Sequence, residues 1–482
     1  MSIKRSLSLA AGSAALAALA ATTLPAATLP AAASGADAAL GAPSVVADGL
    51  NNPYSLAWGA RGKLWLTEKS GKSVLSVDPT TGARSTLLDL STQAVSSGQD
   101  GVLGLAVEPS VTSNARGYAY VSYSYDSGQA EESTGETRRT KIVRYSYDDA
   151  TKKLVRPSTV ISGLPASIDH QGGRLLIGPD GKLYYAIGDQ GTNQYSLACR
   201  QNQAQTLPTA AEVAAKDWFA YQGKTLRLNR DGSIPIDNPT IGGVRSHIWT
   251  YGHRNPQGFA FTPSGKLLEA EHGPKTDDEI NLLRAGGNYG WPNVAGYQDD
   301  ESAYVYGDWS ASSPTPCAEL THSDFEIHED VPTWKESEFT ARFNEPLDTF
   351  GTSVTWDHDF TGAPCDASGL YYICYPTIAP SSLTYYKPAV GRAMPGWENS
   401  VIMTSLKDGT IYRLGLNWTE TDVVAVEPLY TDQDRFRATI VSPDGKTVYA
   451  ITDTAGLVRG DDDVPTTDLT HPGSLLAFPV RN

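Results

Sequence analysis

Two sets of polar residues stand out for the chemistry they could perform together. Asp169-His170 precedes Gly172-Gly173-Arg174 and an apolar strand, and Asp189 and Gln194 follow that strand in Gly188-Asp189-Gln190-Gly191-Thr192-Asn193-Gln194. As the two flanks of one strand they can meet at the mouth of a channel. A carboxylate beside an imidazole orients the ring and raises its basicity, which a general base working near neutral pH requires. A second set repeats the placement, with His253-Arg254-Asn255-Pro256-Gln257-Gly258 before a strand and Glu271-His272-Gly273-Pro274 after it. A Gly-Pro turn can aim consecutive carbonyls at a hard cation such as Ca²⁺, which takes oxygen ligands without needing them charged.

Basic residues are few, so their grouping carries information. In Arg435-Phe436-Arg437 the two guanidinium groups share one face of an extended segment, and Lys407 stands at the end of another apolar run, Ser405-Leu406-Lys407. Three cations converging on one channel call for an anion with several carboxylates or phosphates. Carboxylates also gather, in Asp277-Asp278-Glu279, Asp299-Asp300 and Glu336, around the turn-rich Gly286-Gly287-Asn288-Tyr289-Gly290 and Ala295-Gly296-Tyr297. That grouping suits a structural Ca²⁺ site.

The elements that must hold these residues show as a repeat. A turn, then Gly-Lys, then a short apolar run recurs at Gly62-Lys63-Leu64, Gly181-Lys182-Leu183, Gly265-Lys266-Leu267 and Gly445-Lys446-Thr447. Looser copies stand at Gly117-Tyr118 and Asn399-Ser400. The spacing leaves room for a four-stranded unit and long loops in each interval. The expected fold is therefore all-β: a six-bladed β-propeller of four-stranded antiparallel sheets with long inserted loops. Thr209-Ala210-Ala211-Glu212 is a capping box that opens an expected helix through Ala220. Residues 301–332 show neither helical nor strand periodicity and read as loop.

The 482 residues carry 38 Lys and Arg against 54 Asp and Glu, a net charge of −16, which argues against nucleic acid or an anionic membrane as partner. Residues 1–38 read as a signal peptide, with basic Lys4-Arg5, an Ala/Leu-rich core and small residues around Ala36-Asp37-Ala38. The protein is expected to be exported, periplasmic or secreted, with residues 39–482 forming one catalytic propeller. Four cysteines in an exported chain favour two disulfides out of three possible pairings. Cys365–Cys374 closes the shortest loop, which leaves Cys199–Cys317 as a long-range staple.

The stretches Asp169-His170-Gln171-Gly172-Gly173-Arg174, Gly252-His253-Arg254-Asn255-Pro256-Gln257-Gly258, Asp277-Asp278-Glu279-Ile280-Asn281, Gly287-Asn288-Tyr289-Gly290-Trp291-Pro292-Asn293-Val294-Ala295-Gly296-Tyr297, Tyr372-Ile373-Cys374-Tyr375-Pro376-Thr377, Arg435-Phe436-Arg437 and Asp453-Thr454-Ala455-Gly456 occur in an order that resembles a known family. It is that of the soluble quinoprotein glucose dehydrogenases, the glucose/sorbosone dehydrogenases that use pyrroloquinoline quinone (PQQ). The resemblance implies PQQ- and Ca²⁺-dependent oxidation of an aldose to its lactone, with His170 as base, Asp189 as its partner and Arg254 polarising the quinone. It implies Gln99, Asp169, Gln194 and Tyr372 as sugar contacts. Arg254, Asn255, Thr377, Lys407, Arg435 and Arg437 would hold PQQ, and Gly273 and Pro274 its Ca²⁺. Glu279, Tyr289, Ala295, Tyr297, Asp299 and Glu336 match structural calcium ligands that lie beside a dimer interface in the family, so a homodimer is implied.

Tyr195 and Tyr375 depart from the family pattern at the sugar rim and beside the cofactor, and Cys199 and Cys317 are additional to it. Two other readings compete: a Ca²⁺-dependent propeller lactonase, which has no use for Lys407, Arg435 and Arg437 together, and a non-catalytic extracellular binding propeller.

Overall fold

Each of the six repeats opens the second strand of a separate antiparallel sheet: Leu64–Glu68, Tyr118–Asp126, Leu183–Ile187, Leu267–Glu271, Ser400–Ser405 and Thr447–Thr452. The structure is a computed structural model that describes residues 39–131, 135–323, 326–352, 354, 373, 376–389, 391–460 and 464–481. The expected signal peptide 1–38 lies outside the described residues, as do Tyr372, Tyr375, Cys365 and Cys374.

Blade one runs from Pro53–Trp58 to Arg84–Asp89, blade two from Val102–Val107 to Lys153–Pro165, and blade three from Gly172–Ile177 to Ile248–Tyr251. Blade four runs from Pro256–Phe261 to Asp348–Phe350, and blade five from Pro380–Tyr385 to Val423–Thr431. Blade six takes Phe436–Val441, Thr447–Thr452 and Leu475–Arg481 from the C-terminal end, and Ala39–Leu40 and Ser44–Ala47 from the N-terminal end pair with its last strand. The first strands of the blades contact one another in a closed ring. The two ends of the chain therefore complete one sheet, which leaves no gap in the propeller.

Burial follows distance from the axis. The second strand Leu183–Ile187 is buried at every residue, as is Leu64–Glu68, whereas the outer strand Val423–Thr431 alternates between half-buried and exposed. Inner strands are covered on both faces and so read as continuous apolar runs; the outer strand keeps one face in water. Six apolar clusters fill the six interfaces between neighbouring blades, among them Trp65, Val74, Leu105 and Val121 between blades one and two. Arg174 crosses the axis from blade three, donating to the carbonyls of Gln257 at 2.8 Å and Ser381 at 2.9 Å, with its guanidinium 4.8 Å from the ring centroid of Tyr54.

Two expectations about the insertions are corrected. The helix begins at its capping box but covers only Ala210–Ala215, because Lys216 takes a left-handed conformation (φ 61°). The chain turns there to bury Trp218 and Tyr221 in the cluster between blades two and three. Residues 301–332 are not bare loop: Tyr306–Gly307 pairs with Thr333–Trp334, and Trp309, Val331 and Ala198 share a small core with Leu320 and Ile327. The disulfide Cys199–Cys317, spanning 118 residues, ties this insertion to the loop that follows Gln194. Among the described residues no helix is long and apolar enough to cross a membrane.

Candidate active site

His170 and Asp189 do not flank one strand, as the sequence suggests; they flank a hairpin. Gly172, at the start of the first strand of blade three, is the register partner of Ile187, at the end of the second. Residues just before the one and just after the other therefore meet on the same face. Blade four repeats the arrangement with Pro256 opposite Glu271, and blade six with Phe436 opposite Thr452. The approach is close enough to require glycine. A Cβ at Gly188 would stand 1.9 Å from the carbonyl oxygen of His170, and His170 itself holds a left-handed φ of 41°.

His170 Nδ1 lies 2.7 Å from Asp189 Oδ1, and both residues are buried. Burial pushes the Asp189 carboxyl up, but the neighbouring His170 and Arg254 and the hydrogen bonds to the carboxylate outweigh it and hold the group below its usual range. The ionised carboxylate can only accept, so His170 Nδ1 carries the proton and Nε2 presents a lone pair. Gln194 Nε2 lies 3.1 Å from that Nε2, and Arg254 Nη2 donates to Gln194 Oε1 at 3.1 Å. Asp169 Oδ1 accepts from Gln99 Nε2 at 2.7 Å, and Asn255 Nδ2 donates to Gln99 Oε1 at 3.4 Å. The structure thus brings Gln99, Asp169, His170, Asp189, Gln194, Arg254 and Asn255 into one network.

Beside this network opens a cavity of about 410 Å³. Lys69, Lys407, Arg435 and Arg437 line it, with Gln99, His272 and Asp453. Arg437 makes a two-pronged ion pair with Asp453, at 2.8 Å to Oδ1 and 2.6 Å to Oδ2, and Arg435 Nε reaches Asp453 Oδ2 at 3.3 Å. Lys407 donates to the Thr377 hydroxyl. Burial outweighs the nearby Asp278 and draws the Lys407 ammonium well below its usual range. Four basic side chains face one acid in this cavity, and among the described residues Arg254 Nε is buried without a hydrogen-bond partner. An anion with several carboxylates fits such a lining.

The third group of residues gathers behind blade four. Glu279 Oε1 accepts from Gly296 N at 2.7 Å, and Glu336 Oε1 from Ala295 N at 2.9 Å. Among the described residues, Glu336 Oε2 is buried with no hydrogen-bond partner, and both carboxylate oxygens of Asp277 are buried without a well-aligned donor. The hydroxyls of Thr276, Thr349 and Thr352 stand near Asp277 and act against the rise that burial imposes on its carboxyl. Burial and the proximity of Asp277, Asp299 and Asp300 push the Glu336 carboxyl up to about 8, and burial raises Asp277 and Glu279 as well. Buried carboxylate oxygens without a hydrogen-bond donor, as on Glu336, are the kind of group that a hard divalent cation satisfies. Tyr289 turns its hydroxyl to Leu282 O at 2.7 Å; further along the same segment Tyr297 is half-buried and Asp299 exposed. Gly273 and Pro274 follow the second strand of blade four, next to His272.

Residues 50–339 and 362–459 match the family model described as Glucose / Sorbosone dehydrogenase. The chain belongs to the glucose/sorbosone dehydrogenase family. By class, this family member is an oxidoreductase. It is 44% identical over 440 residues to quinoprotein glucose dehydrogenase B of Acinetobacter calcoaceticus, covering 91% of this chain and 90% of the relative. It is 35% identical over 216 residues to the aldose sugar dehydrogenase YliI of Escherichia coli K12, covering 42% of this chain and 51% of that protein. Among solved structures, the PQQ-bound aldose sugar dehydrogenase of Streptomyces coelicolor superposes with a TM-score of 0.60 at 23% identity, over 93% of this chain and 99% of that one. The apo-form soluble aldose sugar dehydrogenase of E. coli gives 0.61 at 24%, over 91% and 99%. These two structures establish the propeller of this dehydrogenase family member.

The sequence does not single out Lys69, Asp453 or Trp291 as parts of the site. A signal for Lys69 and Asp453 was present in the repeat itself. Lys69, Asp189, His272, Lys407 and Asp453 all stand one or two residues beyond the second strand of their blade. That position is where a hairpin delivers a side chain to the functional face.

Proposed function

We propose that the protein oxidises an aldose at its anomeric hydroxyl, with PQQ as cofactor and Ca²⁺ bound beside it. The observation that carries this reading is the junction of two halves: a buried base-and-carboxylate pair, His170–Asp189, is joined through Gln194 to Arg254, and Arg254 Nη1 donates at 3.3 Å to the carbonyl of His272, which lines a cavity with four basic side chains. Lys69, Lys407, Arg435 and Arg437 would hold the carboxylates of PQQ, and the carbonyls of Gly273 and Pro274 its Ca²⁺. When bound, PQQ supplies the two-electron acceptor that the side chains of this protein lack.

His170 Nε2 takes the proton of the sugar's anomeric hydroxyl, and Asp189 stabilises the imidazolium that results. Arg254 offers fixed positive charge where negative charge develops and loses no proton in doing so. Gln99, Asp169 and Gln194 present donors and acceptors around that point and orient the ring hydroxyls. Asp277, Glu279 and Glu336 would hold a second Ca²⁺ with a structural role. The disulfide and the N-terminal segment 1–38 support export.

Reconstituting the apoprotein with PQQ and Ca²⁺ and following dye reduction by glucose and other aldoses tests the reading. Turnover that requires both additions supports it. Lactone hydrolysis with Ca²⁺ alone, and no oxidation of any aldose, overturns it in favour of a lactonase.

A further inference from the structure

Trp291 touches both halves of the candidate site. Its indole Nε1–H donates to Asp189 Oδ2 at 2.7 Å, whereas His170 uses the other oxygen, Oδ1. Its ring lies 5.4 Å from the Arg254 guanidinium, within the range of a cation–π contact. Asp189 comes from blade three and Arg254 from the strand entry of blade four; their backbones meet, with Asp189 N–H donating to Arg254 O at 2.8 Å, and the indole spans their side chains. Trp291 is itself fixed by its own backbone, with its N–H on Gly252 O at 3.1 Å and its carbonyl accepting from Gln205 Nε2 at 2.7 Å. Its ring packs at 5.6 Å against Tyr304.

The bonds to Asp189 define what the carboxylate can do. Oδ2 takes donors from Trp291 and, at 3.0 Å, from Asn202 Nδ2; Oδ1 takes the Gly191 N–H at 2.9 Å besides His170. With Oδ2 held from two sides, the carboxylate cannot rotate, and Oδ1 stays in the plane that keeps the proton on His170 Nδ1. We propose that Trp291 is a positioning residue for the reaction: it locks the carboxylate that orients the base and the guanidinium that stabilises charge into one frame. The proposal rests on the dehydrogenase reading above.

A double-mutant cycle on the holoenzyme tests it. Trp291→Phe keeps an aromatic face for Arg254 and deletes the N–H, and is expected to lower kcat about ten- to hundredfold, the loss of one charge-assisted hydrogen bond. KM for the sugar should stay near wild type. The Kd for PQQ, read from quenching of tryptophan emission, should also be unchanged, because Trp291 does not line the cation cavity. Trp291→His, which restores a ring N–H, should recover part of the loss. In an Asp189→Asn background, Trp291→Phe should add less than about a twofold further loss, since coupled residues are not additive. If the Phe variant does not fold, Trp291→Leu also deletes the donor. Losses that multiply across the two positions, or a Trp291→Phe kcat equal to wild type, overturn the proposal while the wild type still oxidises aldoses. A wild type that oxidises no aldose removes the dehydrogenase reading and the proposal together.

Discussion

His170 and Asp189 are nineteen positions apart in the chain, and Nδ1 of one stands 2.7 Å from Oδ1 of the other. The register of one hairpin makes this pair, because Gly172 faces Ile187 across the first two strands of blade three. Any change that slips this register by a residue would turn one partner to the opposite face of the sheet.

Replacing the base should separate catalysis from binding. His170→Ala is expected to abolish dye reduction by aldoses while PQQ still binds, since the cations of the cavity are untouched. Asp189→Asn should lower kcat by about 10² to 10⁴, because its amide N–H₂ favours the wrong tautomer of His170. Steady-state rates beside a PQQ-binding titration check both; retained turnover in His170→Ala would remove that residue from the base role.

Acid stability should report the ion pairs of Asp453. Burial raises its carboxyl, but Arg437 and Arg435 prevail and hold it down to about 2 against an ordinary value of 3.8. A depressed carboxyl stabilises the fold above its unfolded value, and that contribution, about 2 kcal/mol, is lost as pH falls from about 4 through 2. Denaturant melts of wild type and Asp453→Asn should therefore differ most near pH 7 and converge below pH 4. A difference that stays constant with pH would contradict the assignment.

The carboxylates behind blade four have the opposite sign. Glu336 keeps its proton up to about 8 in the folded protein and only to about 4.5 in the unfolded chain, so without metal the fold loses stability as pH rises between those values. Ca²⁺ would replace those protons. Its effect on the thermal midpoint should be small at pH 5 and larger at pH 8, and Glu336→Gln should abolish that growth. Differential scanning fluorimetry with Ca²⁺ and with a chelator decides the matter.

The staple Cys199–Cys317 closes a long loop, and removing it by a double Cys→Ser substitution should cost about 2–4 kcal/mol. Limited proteolysis should then cut first within 301–332, whose own core is small, before any blade. Cleavage of the blades at the same rate as the insertion would show that the bridge stabilises the propeller as a whole.

The repeat, the four-stranded units and the candidates His170, Asp189, Arg254, Lys407, Arg435 and Arg437 were all legible in the chain. Local chemistry writes them: turn residues next to apolar runs specify hairpins, and scarce cations in an acidic protein stand out. The insertion 301–332 was not legible, because its strand pairs hold only two residues each and its core depends on Ala198, more than a hundred residues away.

Sequence alone determined the number of blades, the family resemblance and the side-chain types at the functional face, all of which follow from short-range pattern. Tertiary structure alone decided which groups touch. That His170 and Asp189 flank a hairpin and not a strand, that Asp453 pairs with two arginines, that Asp277 is buried and that Trp291 spans the side chains of Asp189 and Arg254 all depend on strand register and blade closure. Those are long-range pairings, and no local periodicity encodes them.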